Sequence, residues 1–157
     1  MLTIYHIEGR RSERVAWLAE ELGLPYELVF TPGDLMASGA AIKAAHPIGA
    51  APTLRDGDQW LTESGAILEY LIGKHGNGRL SVKPDQPGFA EYLQWMHFAE
   101  GMAMTRIMGE FMLKPLLEGA AADKSPVAQL YVGSTRRMLD FFEKGLEGRQ
   151  YFAGDAF

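Results

Sequence analysis

The chain opens with Leu2-Thr3-Ile4-Tyr5-His6-Ile7, a run of β-branched and aromatic residues that stops at Glu8-Gly9. That pattern predicts a buried strand. From Ser12-Glu13 the period changes: Val15, Leu18, Ala19 and Leu22 recur at helical spacing and give one apolar helix face. Gly23 stands where a left-handed cap would close this helix, and Pro25 bars its continuation. Tyr26 to Phe30 reads as a second strand. Strand, helix and strand together predict a right-handed parallel crossover.

Thr31-Pro32-Gly33-Asp34 is loop chemistry, and a weakly patterned, Ala-rich helical stretch follows to Ala45. Two prolines within His46-Pro47-Ile48-Gly49-Ala50-Ala51-Pro52 require irregular backbone. Thr53-Leu54-Arg55 and Gln59-Trp60-Leu61-Thr62 flank Asp56-Gly57, a hairpin signal. Glu63-Ser64 then precedes a helix carrying Ile67, Leu68 and Leu71 and ending between Gly73 and Gly76. The order predicts an α/β sandwich over residues 1–78 and a Pro- and Gly-rich linker over 79–86. No strand pattern returns after it. Phe89 to Leu117 and Val127 to Leu146 read as two long helices, separated by a break from Glu118 to Pro126, so residues 87–157 form an all-α domain.

Composition narrows the chemistry. Lys and Arg number 15 against 20 Asp and Glu, a net charge of −5, which argues against a protein that tracks nucleic-acid phosphates. There is no Cys, so disulfides, thiolate metal sites and a cysteine nucleophile are excluded. His6, His46, His75 and His97 show no metal-ligand spacing, and no metal is expected. No apolar run approaches the ~20 residues that span a bilayer. The first residues are too polar after Ile7 for a secretory signal, and a cytoplasmic protein is expected.

Candidate chemistry lies at three places. Ser64 can cap its helix, whose free N–H groups and dipole suit a carboxylate, while Glu63 suits an ammonium; alone, such a pair is usually just a cap. Pro52, by itself, is an ordinary turn proline. Five of the eight methionines, Met96, Met102, Met104, Met108 and Met112, fall within one predicted helix, which suits either core packing or an adaptable apolar pocket. Gly101 and Gly109 in the same helix suggest a kink or a close helix approach.

Taken together, these motifs resemble the glutathione S-transferases. The resemblance is carried by Leu18-Ala19-Glu20-Glu21-Leu22-Gly23-Leu24-Pro25, His46-Pro47-Ile48-Gly49-Ala50-Ala51-Pro52-Thr53-Leu54, Thr62-Glu63-Ser64-Gly65-Ala66-Ile67 and Tyr151-Phe152-Ala153-Gly154-Asp155, in that order over essentially the whole chain. It implies a thioredoxin-like N-terminal domain and an all-helical C-terminal domain. The family's helical domain continues past this point with a Ser/Thr-x-x-Asp box, so the C-terminal helices are expected to be incomplete, and the two helices alone unstable.

The resemblance also implies a cis Pro52, glutathione lying along the Ala51 backbone, and Glu63 with Ser64 holding its γ-glutamyl end. Glutathione is the expected co-substrate, its thiolate attacking an apolar electrophile in a detoxifying transferase, and a homodimer is expected. Ser12 or Tyr5 would stabilise the thiolate, Ser12 being preferred although it sits one position after the family's reactive residue, where Arg11 stands here. The family often has Lys or Gln where this chain has Ala50; Arg10, Arg11 and His46 are the available substitutes. The alternative is a member of the same fold that binds glutathione or a protein partner without catalysis.

Overall fold

The computed structural model describes residues 1–117 and 126–154. Of the expected break from Glu118 to Pro126, residues 118–125 lie outside the described residues, as does the end of the tail, Asp155 to Phe157.

Strand alternation organises the first unit, Met1–Ser81. In β1 (Leu2–Tyr5) the alternate residues Leu2 and Ile4 are buried to 4% and 0% exposure. They join Val15 and Ala19 of α1 (Ser12–Leu22), Leu54 of β3 (Thr53–Asp56), and Ile67 and Leu71 of α3 (Ser64–Lys74) in one core cluster. The helical spacing of Val15, Ala19 and Leu22 is therefore the face α1 buries. Gly23, at φ 68°, closes that helix: its N–H bonds to the Glu20 carbonyl and the Leu24 N–H to the Ala19 carbonyl. These two bonds satisfy the last free carbonyls, and only Gly adopts that φ without strain.

The sheet order is β2-β1-β3-β4, with β2 (Tyr26–Val29) parallel to β1, and β3 and β4 (Gln59–Thr62) antiparallel. The hairpin loop is Gly57-Asp58, one residue later than the Asp56-Gly57 signal suggested. Only Gly57 takes a positive φ, 61°, the II′ pattern with Gly first, and Asp56 stays in the ladder. The Ala-rich segment is α2 (Leu35–Ala45), held by the Asp34 carboxylate, which accepts from the N–H groups of Met36 and Ala37. By strand alternation α2 covers the opposite face from the cluster, where a side chain at Gly39 would stand 4.0 Å from Ile7 Cδ1. The α/β sandwich that the pattern predicted results, in the thioredoxin-like form that the resemblance implied.

The second unit, Val82–Phe157, is helical in its described part. The expected single helix from Phe89 is instead α4 (Phe89–Phe98), a π-helical segment (Ala99–Met104) and α5 (Thr105–Leu117) in direct succession. The irregularity falls at Gly101, an exposed glycine whose missing side chain weakens the α-helical preference. The long α6 (Pro126–Gly145) packs against α5. Trp95 centres an aromatic cluster, with ring centroids 5.0 Å from Phe141 and 4.4 Å from Phe152. Among the described hydrophobic residues of this unit, only Ala103 and Met138 are fully buried. Met102 and Met112 are exposed.

Candidate active site

Strand register decides where the chemistry gathers. Tyr5, Thr53 and Thr62 form one row across β1, β3 and β4. β1 and β4 end at this row and β3 begins there. The β1–α1 turn, the Ala51-Pro52 bond and the Glu63-Ser64 junction therefore leave the sheet at the same end. Tyr5, Ser12, Ala51, Pro52, Glu63 and Ser64 share that end, together with the N-termini of α1 and α3. Each helix start adds positive potential there.

The Ala51-Pro52 peptide is cis, as the resemblance implied. Pro52 is buried, and the Thr53 hydroxyl, also buried, donates to the Ala50 carbonyl at 2.8 Å. The Ala51 N–H and C=O enter no hydrogen bond among the described residues. A short open edge is left at which an extended peptide could pair.

Glu63 is exposed and holds φ 70°, ψ 114°, outside the regions favoured by residues with a Cβ. Such strain costs on the order of 1–3 kcal/mol and concentrates at functional positions. Ser64 does not cap α3. Glu63 occupies the cap position and forms no side-chain cap bond, while Ser64 is the first helical residue. Ser64 is 3% exposed, and its hydroxyl has no hydrogen-bond partner among the described residues. The N–H groups of Ser64, Gly65 and Ala66 precede the first helical bond, from the Ile67 N–H to the Glu63 carbonyl. Three backbone donors, one hydroxyl and one carboxylate thus surround this junction.

Ser12 is differently placed. It is 0% exposed, and its hydroxyl is shared among His6 Nδ1 at 2.8 Å, the Ile7 N–H at 3.1 Å and the Ile7 carbonyl at 3.2 Å. One hydroxyl has a single hydrogen and two lone pairs. All three contacts are met at once only when His6 carries its hydrogen on Nδ1 and Ser12 donates to the carbonyl. The hydroxyl is committed inward, to the turn. Arg11, not Ser12, is the α1 cap position, without a side-chain cap bond. Glu13 and Arg14 N–H groups bond to the Arg10 and Arg11 carbonyls, and Glu13 Oε1 accepts from the Gly9 N–H at 2.7 Å. Arg10 is exposed on this turn.

Tyr5 is half-buried, its ring 5.7 Å from Trp60. Its hydroxyl has no partner among the described residues. His46 lies 5.9 Å from the same Trp60 ring, and its Nδ1 accepts from the Ile48 N–H at 3.4 Å. His6 is the residue that sequence reasoning missed. A signal existed: Leu2, Ile4 and His6 share one parity, so His6 falls on the core face, where a histidine needs a polar partner.

A strong electrostatic perturbation lies at the other end of the sheet. Asp56, paired with Leu2, accepts from Lys74 Nζ at 3.0 Å, His75 Nε2 at 2.8 Å and the Tyr70 hydroxyl at 2.9 Å. Hydrogen bonds from Lys74 first, then His75, hold its carboxyl well below the usual carboxylate range. This cluster fastens the hairpin to α3, away from the row that gathers the site. Among the described residues, no group of three or more His, Asp or Glu could hold a metal ion.

A family model described as the glutathione S-transferase N-terminal domain matches residues 4–79. Glutathione S-transferase 3 of Schizosaccharomyces pombe is 31% identical over all of this chain and 69% of its own length. The chain belongs to the glutathione S-transferase family. Glutathione S-transferase PARB of Nicotiana tabacum is 33% identical over 92% of this chain and 69% of its own. The crystal structure of a glutathione S-transferase from Actinobacillus pleuropneumoniae superposes with a TM-score of 0.82 at 28% identity, covering 100% of this chain and 71% of that one. This glutathione S-transferase chain thus spans a little over two thirds of the length of these relatives.

Proposed function

We propose that this family member is a glutathione transferase that binds glutathione at the Tyr5–Thr53–Thr62 end of its sheet and conjugates it to apolar electrophiles. The observation that carries the reading is the convergence there of the α3 N-terminus and an Ala51 backbone that is unpaired among the described residues. The Ala51 N–H and C=O would pair with the peptide, as at a sheet edge. The Ser64 hydroxyl and the first N–H groups of α3 would receive the γ-glutamyl carboxylate, and Glu63 its ammonium. The strained φ of Glu63 supports a binding role, because such strain concentrates at functional positions. Arg10, Arg11 or His46 would meet the glycyl carboxylate in place of a side chain at Ala50.

The thiol must lose its proton to become a nucleophile. The α1 N-terminus and the neighbouring arginines provide a positive field for the thiolate. Tyr5 is the hydroxyl at this junction without a partner among the described residues, and it would donate to the sulfur. Ser12, committed to His6 and Ile7, would act as a positioning residue that holds the β1–α1 turn. A homodimer working in detoxification in the cytoplasm completes the reading, on the strength of the family resemblance.

Retention on immobilised glutathione and turnover of 1-chloro-2,4-dinitrobenzene test it together. Retention with turnover supports the transferase. Retention without turnover makes the chain a binding module, and no retention removes the site. Tyr5→Phe is expected to lower kcat by about 10²-fold, the scale of one lost transition-state donor, with little change in glutathione retention.

A further inference from the structure

Tyr5, Thr53, Arg55, Trp60 and Thr62 share the sheet face opposite the core cluster, because strand alternation turns them away from Ile4, Leu54 and Leu61. Thr53 stands between Tyr5 and Thr62 in the row, and Trp60 is two residues from Thr62 on β4. Tyr5 and Trp60 are thus two strands apart, a spacing of about 9.5 Å at least. Their ring centroids are nevertheless 5.7 Å apart, with 33° between the planes. That separation is within the range of an attractive aromatic pair. The rings lean toward each other across β3, where the short, buried side chain of Thr53 leaves room for them.

Trp60 is itself held by two further groups. The guanidinium of Arg55, its cross-strand partner, lies 5.5 Å from the ring centroid, which suits a cation–π contact. Arg55 Nε also donates to the Gly57 carbonyl at 2.9 Å, so the cation is tied to the hairpin turn. The His46 ring, at the C-terminal cap of α2, stands 5.9 Å from Trp60 at 34°. Tyr5 has fewer restraints. Its hydroxyl has no partner among the described residues, and Trp60 is the one aromatic ring it meets there. A side chain whose polar end is unbonded keeps its rotamer through packing. The Trp60 ring is therefore what directs the Tyr5 hydroxyl.

We propose that Trp60 is a positioning residue for the thiol chemistry: it holds the Tyr5 ring so that its hydroxyl meets the glutathione sulfur, and through His46 it steadies the 46–52 loop that presents the Ala51 backbone. This rests on the reading of Tyr5 as the thiolate donor. A donor displaced by about 1 Å costs up to about 10²-fold in rate, and part of that loss follows when the Trp60 ring is removed. The His46 contact bears on glutathione binding rather than on the chemical step.

Turnover of 1-chloro-2,4-dinitrobenzene by Trp60→Leu, alone and combined with Tyr5→Phe, provides the test. Alone, Trp60→Leu should lower kcat about tenfold and raise the KM for glutathione about threefold. Trp60→Phe, which keeps a ring, should hold both within about twofold of the unsubstituted protein. In the Tyr5→Phe background the donor is already gone, so Trp60→Leu should change kcat by less than about twofold while still raising KM. Arg55→Met, at an exposed position, should lower kcat about twofold, again only while Tyr5 is present, and it carries the same comparison if Trp60→Leu fails to fold. An equal loss of kcat in both backgrounds, or none in either, overturns the inference and leaves Tyr5 as the donor. A Tyr5→Phe variant with unchanged kcat, or an unsubstituted protein without turnover, removes the donor reading and the positioning role with it.

Discussion

Replacing Ser12 by Ala removes a single oxygen from a site with no solvent access. That oxygen serves His6 Nδ1, the Ile7 N–H and the Ile7 carbonyl, and the residue is 0% exposed. Water cannot take over these contacts without opening the turn. At roughly 1 kcal/mol net for each hydrogen bond, the loss sums to roughly 2–3 kcal/mol of unfolding free energy. Urea unfolding followed by circular dichroism reads it: with a slope of about 2 kcal/mol per molar, the midpoint falls by about 1–1.5 M. The folded variant should keep kcat at saturating glutathione within about tenfold if the hydroxyl serves only the turn, whereas a direct transition-state donor would cost about 10²–10³-fold. Two results refute the reasoning. An unfolding free energy unchanged within about 0.5 kcal/mol would mean that the inward bonds contribute nothing. Unchanged stability with a 10²-fold or larger loss of kcat would return Ser12 to the role of thiolate donor.

Three further substitutions probe separate parts of the argument. Glu63→Gly should raise thermal stability by about 1 kcal/mol by relieving φ 70°, yet abolish retention on immobilised glutathione; a variant that is less stable and still retained contradicts both halves. Gly145→Ala would ordinarily favour a helix, but the added Cβ would stand 2.5 Å from Trp95 Cζ2, so the helical unit should lose about 1–3 kcal/mol, read from Trp fluorescence during unfolding. Asp56 has its carboxyl held below its ordinary 3.8, so its stabilisation is present above that value and is lost as pH falls below it. Asp56→Asn should cost roughly 1–2 kcal/mol at pH 7, a modest figure because Lys74 is half exposed, and should flatten the acid limb of a stability–pH curve.

Local pattern determined the elements of this protein. The alternation of Leu2 and Ile4, the helical spacing of Val15, Ala19 and Leu22, the Gly23 cap and the two prolines before Thr53 each act over a few residues. Their order over the chain was enough to carry the family resemblance. Tertiary structure decided which hydroxyl is available. Ser12 and Tyr5 both stand at the β1–α1 junction, and only packing shows Ser12 turned onto His6 while the Tyr5 hydroxyl has no partner among the described residues. The Tyr5–Thr53 pairing in the row is a matter of register between strands about fifty residues apart in sequence, which no local pattern encodes. The π-helical segment Ala99–Met104 had as its local trace a glycine at position 101. Elements form from short-range preference, but a site forms where long-range packing sets side chains face to face.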